Sequence, residues 1–240
     1  LTLRNNIDQT AALIDALAGR DVTLLVASSS EVYGRRATVP LREGDDVQYG
    51  PPESPRWSYA LSKAVDERLA LGAHEMGEMR TVVARLFNVV GPRQRGQYGM
   101  VVPRFVLWAV QGKPLRIFGN GMQTRAFADV RDVVRGLSDL VSTPDAHGRV
   151  YNVGRDEEIT IDALADRVIS LAGSDSPKQY VPTDQAYGGP MDDPARRLPD
   201  LARIRDAIGY QARIPLDQTL LELIELARAG GSEAVMTESG

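Results

Sequence analysis

VTLLVAS, Val22 to Ser28, is an apolar run with a β-branched start that ends in serines. A short, continuously apolar segment is what a strand buried on both faces requires, as in a parallel sheet covered by helices. Its flanks agree with that reading. Ile7 to Leu17 (IDQTAALIDAL) carries apolar residues at helical spacing, so a helix leads into the strand. After a polar loop rich in Pro, Gly and acidic residues (Arg35 to Pro55), a second helix runs from Tyr59 to about Met76. Arg80 to Asn88 (RTVVARLFN) is then a second buried strand. This alternation predicts βαβ units and a doubly wound parallel sheet of the α/β class.

The rest of the chain continues the pattern. Helices are expected at Val102 to Gln111, Asp129 to Ser142, Ile161 to Leu171, Asp200 to Ile208 and Leu216 to Ala229. Strands are expected at Leu115 to Phe118 and Val150 to Val153. Gly173, Gly209 and Gly230 stand where helices need a left-handed stop. The last ten residues are small and polar and read as a frayed tail, 231–240. There is no internal repeat.

Composition narrows the function. The 240 residues are 43% hydrophobic and 25% charged, ordinary for a globular chain. A formal net charge of −4, with scattered Lys and Arg, gives no footprint for nucleic acid. No apolar run reaches the ~18 residues of a membrane span and no signal peptide opens the chain, so it is read as cytoplasmic with no membrane partner. Zero cysteines exclude disulfides, thiolate metal sites and thiol nucleophiles. His74 and His147 have no neighbouring ligands at metal spacing, so no metal is expected.

The chemistry-bearing stretch is RWSYALSKAVDE, Arg56 to Glu67. Tyr59 and Lys63 are one helical turn apart and share a face, so phenol and ammonium can meet. Tyr packing and a solvated Lys would give the same letters. A phenol near pKa ~10 is a poor base until a neighbouring ammonium lowers it, and Lys63 supplies that charge. Ser28, Ser29, Ser30 and Glu31 stand where the first strand runs out, and open parallel sheets bind ligands beyond the carboxyl ends of their strands. Serines at a strand end also simply cap or turn the chain.

SSSEVYG, SYALSK, RLFNVVGPRQ, IFGNGMQTRAFADVRDVV and ARRLPD, in that order, resemble the motifs of extended short-chain dehydrogenase/reductases. Within these the likeness is to the NAD-dependent epimerase/dehydratase family acting on nucleotide sugars. The resemblance runs from about Arg4 to Leu226. It implies that the chain is the C-terminal part of a Rossmann-like sheet plus a small α/β substrate lobe. The expected division is 1–100 for a truncated NAD-binding portion and 101–230 for the substrate lobe, interleaved with the last strands. It further implies Ser29 as the catalytic hydroxyl, Tyr59 as the acid/base, and Lys63 as the residue that tunes Tyr59. Tyr59 and Lys63 would also contact bound NAD, or NADP, at the nicotinamide ribose. Asn6 resembles the family's helix asparagine near the active site.

The family's opening strand and GxxGxxG turn, which bring backbone N–H groups to the pyrophosphate, have no counterpart here. GNG at Gly119 to Gly121 is not followed by a helix and does not replace them. The chain is therefore expected to be a fragment of a longer enzyme, inactive alone, with an apolar sheet edge exposed at Val22 to Ser28.

For the substrate, the resemblance implies that Asn88, Arg125 and Arg197 grip a nucleotide-sugar diphosphate, for which guanidinium forks suit the geometry. Ser30 would contact the substrate, and Val102, Pro103 and Phe118 would wall the base, although apolar residues at such spacing also serve as plain core. A 4,6-dehydratase would place Asp-Glu after the catalytic hydroxyl, where this chain has Ser30 and Glu31. SSSEVYG, QTRAF and DDP with its basic pair resemble UDP-glucuronate decarboxylases, with Glu31 at the C5 carboxylate region. A UDP-sugar 4-epimerase is the alternative. A non-catalytic nucleotide-sugar-binding or dimerisation fragment is the reading from another class. The helices 7–17 and 59–76 resemble a family homodimer interface, with Leu13, Leu17, Leu61 and Leu69 as apolar positions.

Overall fold

A computed structural model describes residues 2–94, 100–182 and 194–230. In chain order the elements are α1 (Thr2–Leu17), β1 (Thr23–Ser29), α2 (Ser58–Glu75), β2 (Arg80–Leu86), β3 (Val89–Val90), α3 (Val101–Val110), β4 (Leu115–Phe118), β5 (Thr124–Ala126), β6 (Ala128–Asp129) and α4 (Val130–Ser142). They continue with β7 (Val150–Val153), β8 (Glu158–Thr160), α5 (Ile161–Leu171), β9 (Lys178–Val181), β10 (Arg196–Arg197), α6 (Ala202–Ile208) and α7 (Leu216–Arg228). The tail 231–240 and the two aspartates of DDP lie outside the described residues.

The chain forms two compact units. The first comprises Leu1–Phe87, Val133–Asp156 and Arg197–Gln211, and the second Asn88–Asp132, Glu157–Arg196 and Ala212–Gly240.

The first unit is built on a parallel sheet of order β1-β2-β7. Thr23 lies opposite Arg80 and Ser29 opposite Leu86, while Val83 to Leu86 face Val150 to Val153. Thr81 to Arg85 are all buried, which explains why this strand reads as a continuous run rather than an alternation. Among the described residues β1 pairs with β2 alone and forms the edge of this sheet. α2 lies against β1 and β2 on a face of small residues, Ala60, Ala70 and Ala73, and the Thr81 hydroxyl donates to Ala70 O at 3.0 Å. α1 packs on α2, where Ile14, Ala73 and Met79 form a core with Leu17 and Leu69 beside them. Leu13 and Leu61 are exposed, at 46% and 38%.

The second unit holds the larger core. Phe105, Val106 and Ala109 of α3 and Leu164, Ala165 and Val168 of α5 meet Leu220, Leu223, Ile224 and Ala227 of α7. Their i, i+3, i+4, i+7 spacing on α7 is the stripe of a helix buried on one side. Around them β4 pairs parallel with β9, β3 parallel with β6, and β5 antiparallel with β8.

Candidate active site

Ser29 ends β1. Its side-chain oxygen accepts from the Glu31 backbone N–H at 3.2 Å, capping a 3₁₀ turn, Ser30–Tyr33. The turn closes at Gly34, whose φ of 65° suits glycine and whose missing side chain lets Gln48 O approach; a Cβ there would lie 2.0 Å from that oxygen. Ser30 is buried. Thus Ser29 does serve as a cap, one of the roles its position allowed.

Glu31 leaves this turn between two guanidiniums. Oε2 is 2.6 Å from Arg56 Nη1, and Oε1 accepts from Arg197 Nη1. Burial alone pushes the Glu31 carboxyl up, but Arg197 and Arg56 together outweigh it and hold the group below the ordinary carboxylate range. Glu31 is therefore a carboxylate at neutral pH, suited to orient or accept rather than to donate a proton. Arg197 is only 6% exposed and its ion pair with Glu31 is part-buried.

A 3₁₀ turn at Pro55–Trp57 leads into α2, with Trp57 1% exposed and the guanidiniums of Arg35 and Arg56 each 5.4 Å from its ring centre. Tyr59 sits in the first turn of the helix and is 41% exposed. Lys63 follows one turn later. Its Nζ is 3.3 Å from Asp66 Oδ2, and no hydrogen bond joins Tyr59 to Lys63 or Ser29 among the described residues. Asn6 of α1 donates to the Ser62 hydroxyl at 2.8 Å, and Ser62 donates to Tyr59 O at 2.8 Å, so this asparagine anchors the first turn of α2.

Beneath that surface lies a buried polar chain. Ser28 donates to Glu67, which Arg85 grips bidentately at 2.9 and 2.7 Å. Arg85 lies 4.7 Å from the centre of the Tyr33 ring, and the Tyr33 hydroxyl donates to Asn152 Oδ1 at 2.7 Å. Serine, glutamate and arginine are 39 and 18 positions apart at these contacts, so local sequence pattern gave no sign of them. Asp66 was within reach: it stands three residues after Lys63, a spacing at which helical side chains meet. Arg56 lies before the helix and carries no periodic signal.

The other expected substrate residues belong to the second unit. Asn88 Nδ2 donates to Ala126 O at 3.4 Å, and its carbonyl accepts from Ala128 N at 2.9 Å. Arg125 is largely buried and donates to Thr124 O at 2.7 Å and Ala195 O at 3.4 Å. Val102 lies in the hydrophobic core, and Phe118, at the end of β4, is half-buried. Ser29, Ser30, Glu31, Tyr59, Lys63 and Arg197 are thus carried by one unit, and Asn88, Val102, Phe118 and Arg125 by the other. A cavity of about 1100 Å³ in the first unit, lined by Arg42, Glu43, His147, Arg149, Tyr151 and Arg203 among others, includes none of the former. Among the described residues no cluster of His, Cys, Asp or Glu is arranged to hold a metal, and no helix is long and apolar enough to cross a membrane.

The family described as NAD dependent epimerase/dehydratase matches residues 1–154. UDP-N-acetyl-alpha-D-glucosaminuronate decarboxylase of Bacillus cytotoxicus is 34% identical over 227 residues, 94% of this chain and 70% of that protein. UDP-glucuronic acid decarboxylase 1 of Danio rerio is 35% identical over 224 residues, 93% of this chain and 51% of that protein. Among solved structures, the UDP-N-acetylglucosamine 4-epimerase from Methanobrevibacter ruminantium M1, in complex with UDP-N-acetylmuramic acid, has a TM-score of 0.83 at 26% identity, covering 95% of this chain and 70% of that one. The chain spans about half the length of several curated relatives it matches, 51% for the zebrafish protein and 47% for UDP-glucuronic acid decarboxylase 4 of Arabidopsis thaliana.

Proposed function

Because this chain belongs to the NAD dependent epimerase/dehydratase family, we propose that it carries the proton-transfer centre of a UDP-glucuronate decarboxylase. The observation that supports this most is Glu31, an ionised carboxylate set between Arg56 and Arg197 two residues beyond Ser29. Likeness to two decarboxylases of UDP-linked uronic acids supports the same reading.

Tyr59 takes the proton of the sugar C4 hydroxyl as C4 is oxidised to a ketone. The product is a β-keto acid: its bond between C5 and the carboxylate breaks, the electron pair passes into the C4 carbonyl, and carbon dioxide leaves. C5 then takes a proton, and on reduction of the ketone Tyr59 returns its proton to O4. When bound, NAD accepts and returns the hydride. Of the residues present, Lys63 fits the ribose of that cofactor, since its ammonium has three donors and one acceptor, Asp66, beside it. Glu31 and its arginines orient the carboxylate end of the sugar; Asn88 and Arg125 bind the diphosphate. The protein acts as a homodimer through α1 and α2, where Leu13 and Leu61 are otherwise exposed.

A UDP-sugar 4-epimerase is the second reading, favoured by the structural likeness to such an enzyme. The full natural protein, given UDP-glucuronate, is expected to release carbon dioxide and a UDP-pentose. A UDP-hexuronate of unchanged mass and inverted C4 would establish the epimerase instead. A concentration-independent monomer mass would remove the dimer.

A further inference from the structure

We propose that Asp66 is a positioning residue for Lys63, fixing its ammonium in place; this rests on the proton-transfer role proposed above for Tyr59.

The Asp66 side chain is 1% exposed, and its Oδ2 lies 3.3 Å from Lys63 Nζ. Its other oxygen, Oδ1, is buried and has no hydrogen-bond partner among the described residues. A carboxylate so placed is unfavourable unless a cation compensates it. Of its buried neighbours on α2, Ala60, Ser62, Ala70 and Ala73 are small, and Glu67 is the other carboxylate.

Among the described residues of the elements packed against it, Lys63 is the cation that remains for it. On α2 itself, Glu67 is matched by Arg85, and Arg68 pairs with Glu75 at the surface. On β2, Arg80 binds Asp21. From α1, Arg4, Asp8 and Asp15 are exposed to solvent and Asn6 is bound to Ser62. β1 offers Ser28, which is bound to Glu67. The turn after β1 contributes Glu31, held by Arg197 and by Arg56 of the turn before α2.

The carboxylate restrains a lysine side chain that otherwise samples many rotamers.

The test uses the full natural protein, with Asp66→Asn, Asp66→Ala and, as reference, Tyr59→Phe. Asp66→Asn keeps the shape and removes the charge. It is expected to lower kcat about tenfold with little change in the sugar KM, because a loose ammonium weakens turnover rather than sugar binding. Asp66→Ala is expected to lower kcat further. Folded variants that keep the parent's kcat, or that lose turnover only through a raised sugar KM, overturn the proposal. In the unmodified protein, lysine ammonium NMR provides a measurement that needs no variant at position 66. A slowly exchanging Lys63 signal correlated with a carboxylate carbon is expected, and an ammonium exchanging as fast as those of exposed lysines overturns it. Full activity in Tyr59→Phe would instead sink the proposed function, while the ammonium signal would still report the pairing.

Discussion

The guanidinium of Arg197 sits on the carboxylate of Glu31, 166 positions earlier in the chain, and Arg56 takes the other carboxylate oxygen. This pairing keeps Glu31 ionised, and it makes the turn after β1 depend on a segment far along the chain.

Acid stability should report that dependence. Glu31 titrates in the fold below its ordinary value of about 4.3, so its contribution is present above that pH and is lost as pH falls through the folded value. Arg56→Gln and Arg197→Gln each remove part of the compensation. Circular dichroism against pH is expected to show both variants unfolding at higher pH than the parent; identical midpoints would contradict the pairing.

Arg85 and Glu67 form a buried pair with side chains 8% and 6% exposed. Arg85→Met leaves an uncompensated buried carboxylate and is expected to cost about 3–5 kcal/mol in urea unfolding. Adding Glu67→Leu removes that charge and should recover more than half of the loss. A double variant no better than the single one would argue that the arginine acts through packing.

Tyr33 is 1% exposed, and burial pushes its hydroxyl up to about 12. Its raised value means that the stability gained by keeping it neutral is complete below about pH 10 and is lost as pH rises toward 12. The difference in 295 nm absorbance between parent and Tyr33→Phe should therefore develop only near pH 12. The same variant strips Asn152 Oδ1 of its donor, at a cost of about 1–2 kcal/mol.

Gly34→Ala tests the turn itself. Its φ of 65° and the 2.0 Å approach of Gln48 O to an added Cβ leave no room for a side chain. A loss of about 2 kcal/mol or more is expected, with weakened substrate turnover because Ser29 caps the same turn and Glu31 lies within it. Unchanged thermal unfolding would show that the loop yields freely.

The sequence was most legible where burial is continuous. VTLLVAS and RTVVARL became adjacent parallel strands because strands buried on both faces leave an uninterrupted apolar run. The strand read as ending at Asn88 stops at Leu86, and Val89–Val90 pairs elsewhere, with Ala128–Asp129. β5, β6, β8 and β10 have two or three residues each, too few to show any period. For the candidate site, the spacing of Tyr59 and Lys63 could be read directly, since it follows from helix geometry. The partners of Glu31 could not, because Arg197 is brought to it only by the fold. Arg197 was expected at a diphosphate from its resemblance to a family arginine, and in the structure its guanidinium holds a glutamate of the same unit.

The central claim is that the Tyr59 phenol moves the proton of the substrate's C4 hydroxyl. Its most direct test is the turnover of UDP-glucuronate by the Tyr59→Phe variant of the full natural protein, followed as carbon dioxide release beside the parent. A fall in kcat of about a hundredfold or more, with thermal unfolding unchanged, is the predicted result. Release within a few-fold of the parent's would contradict it.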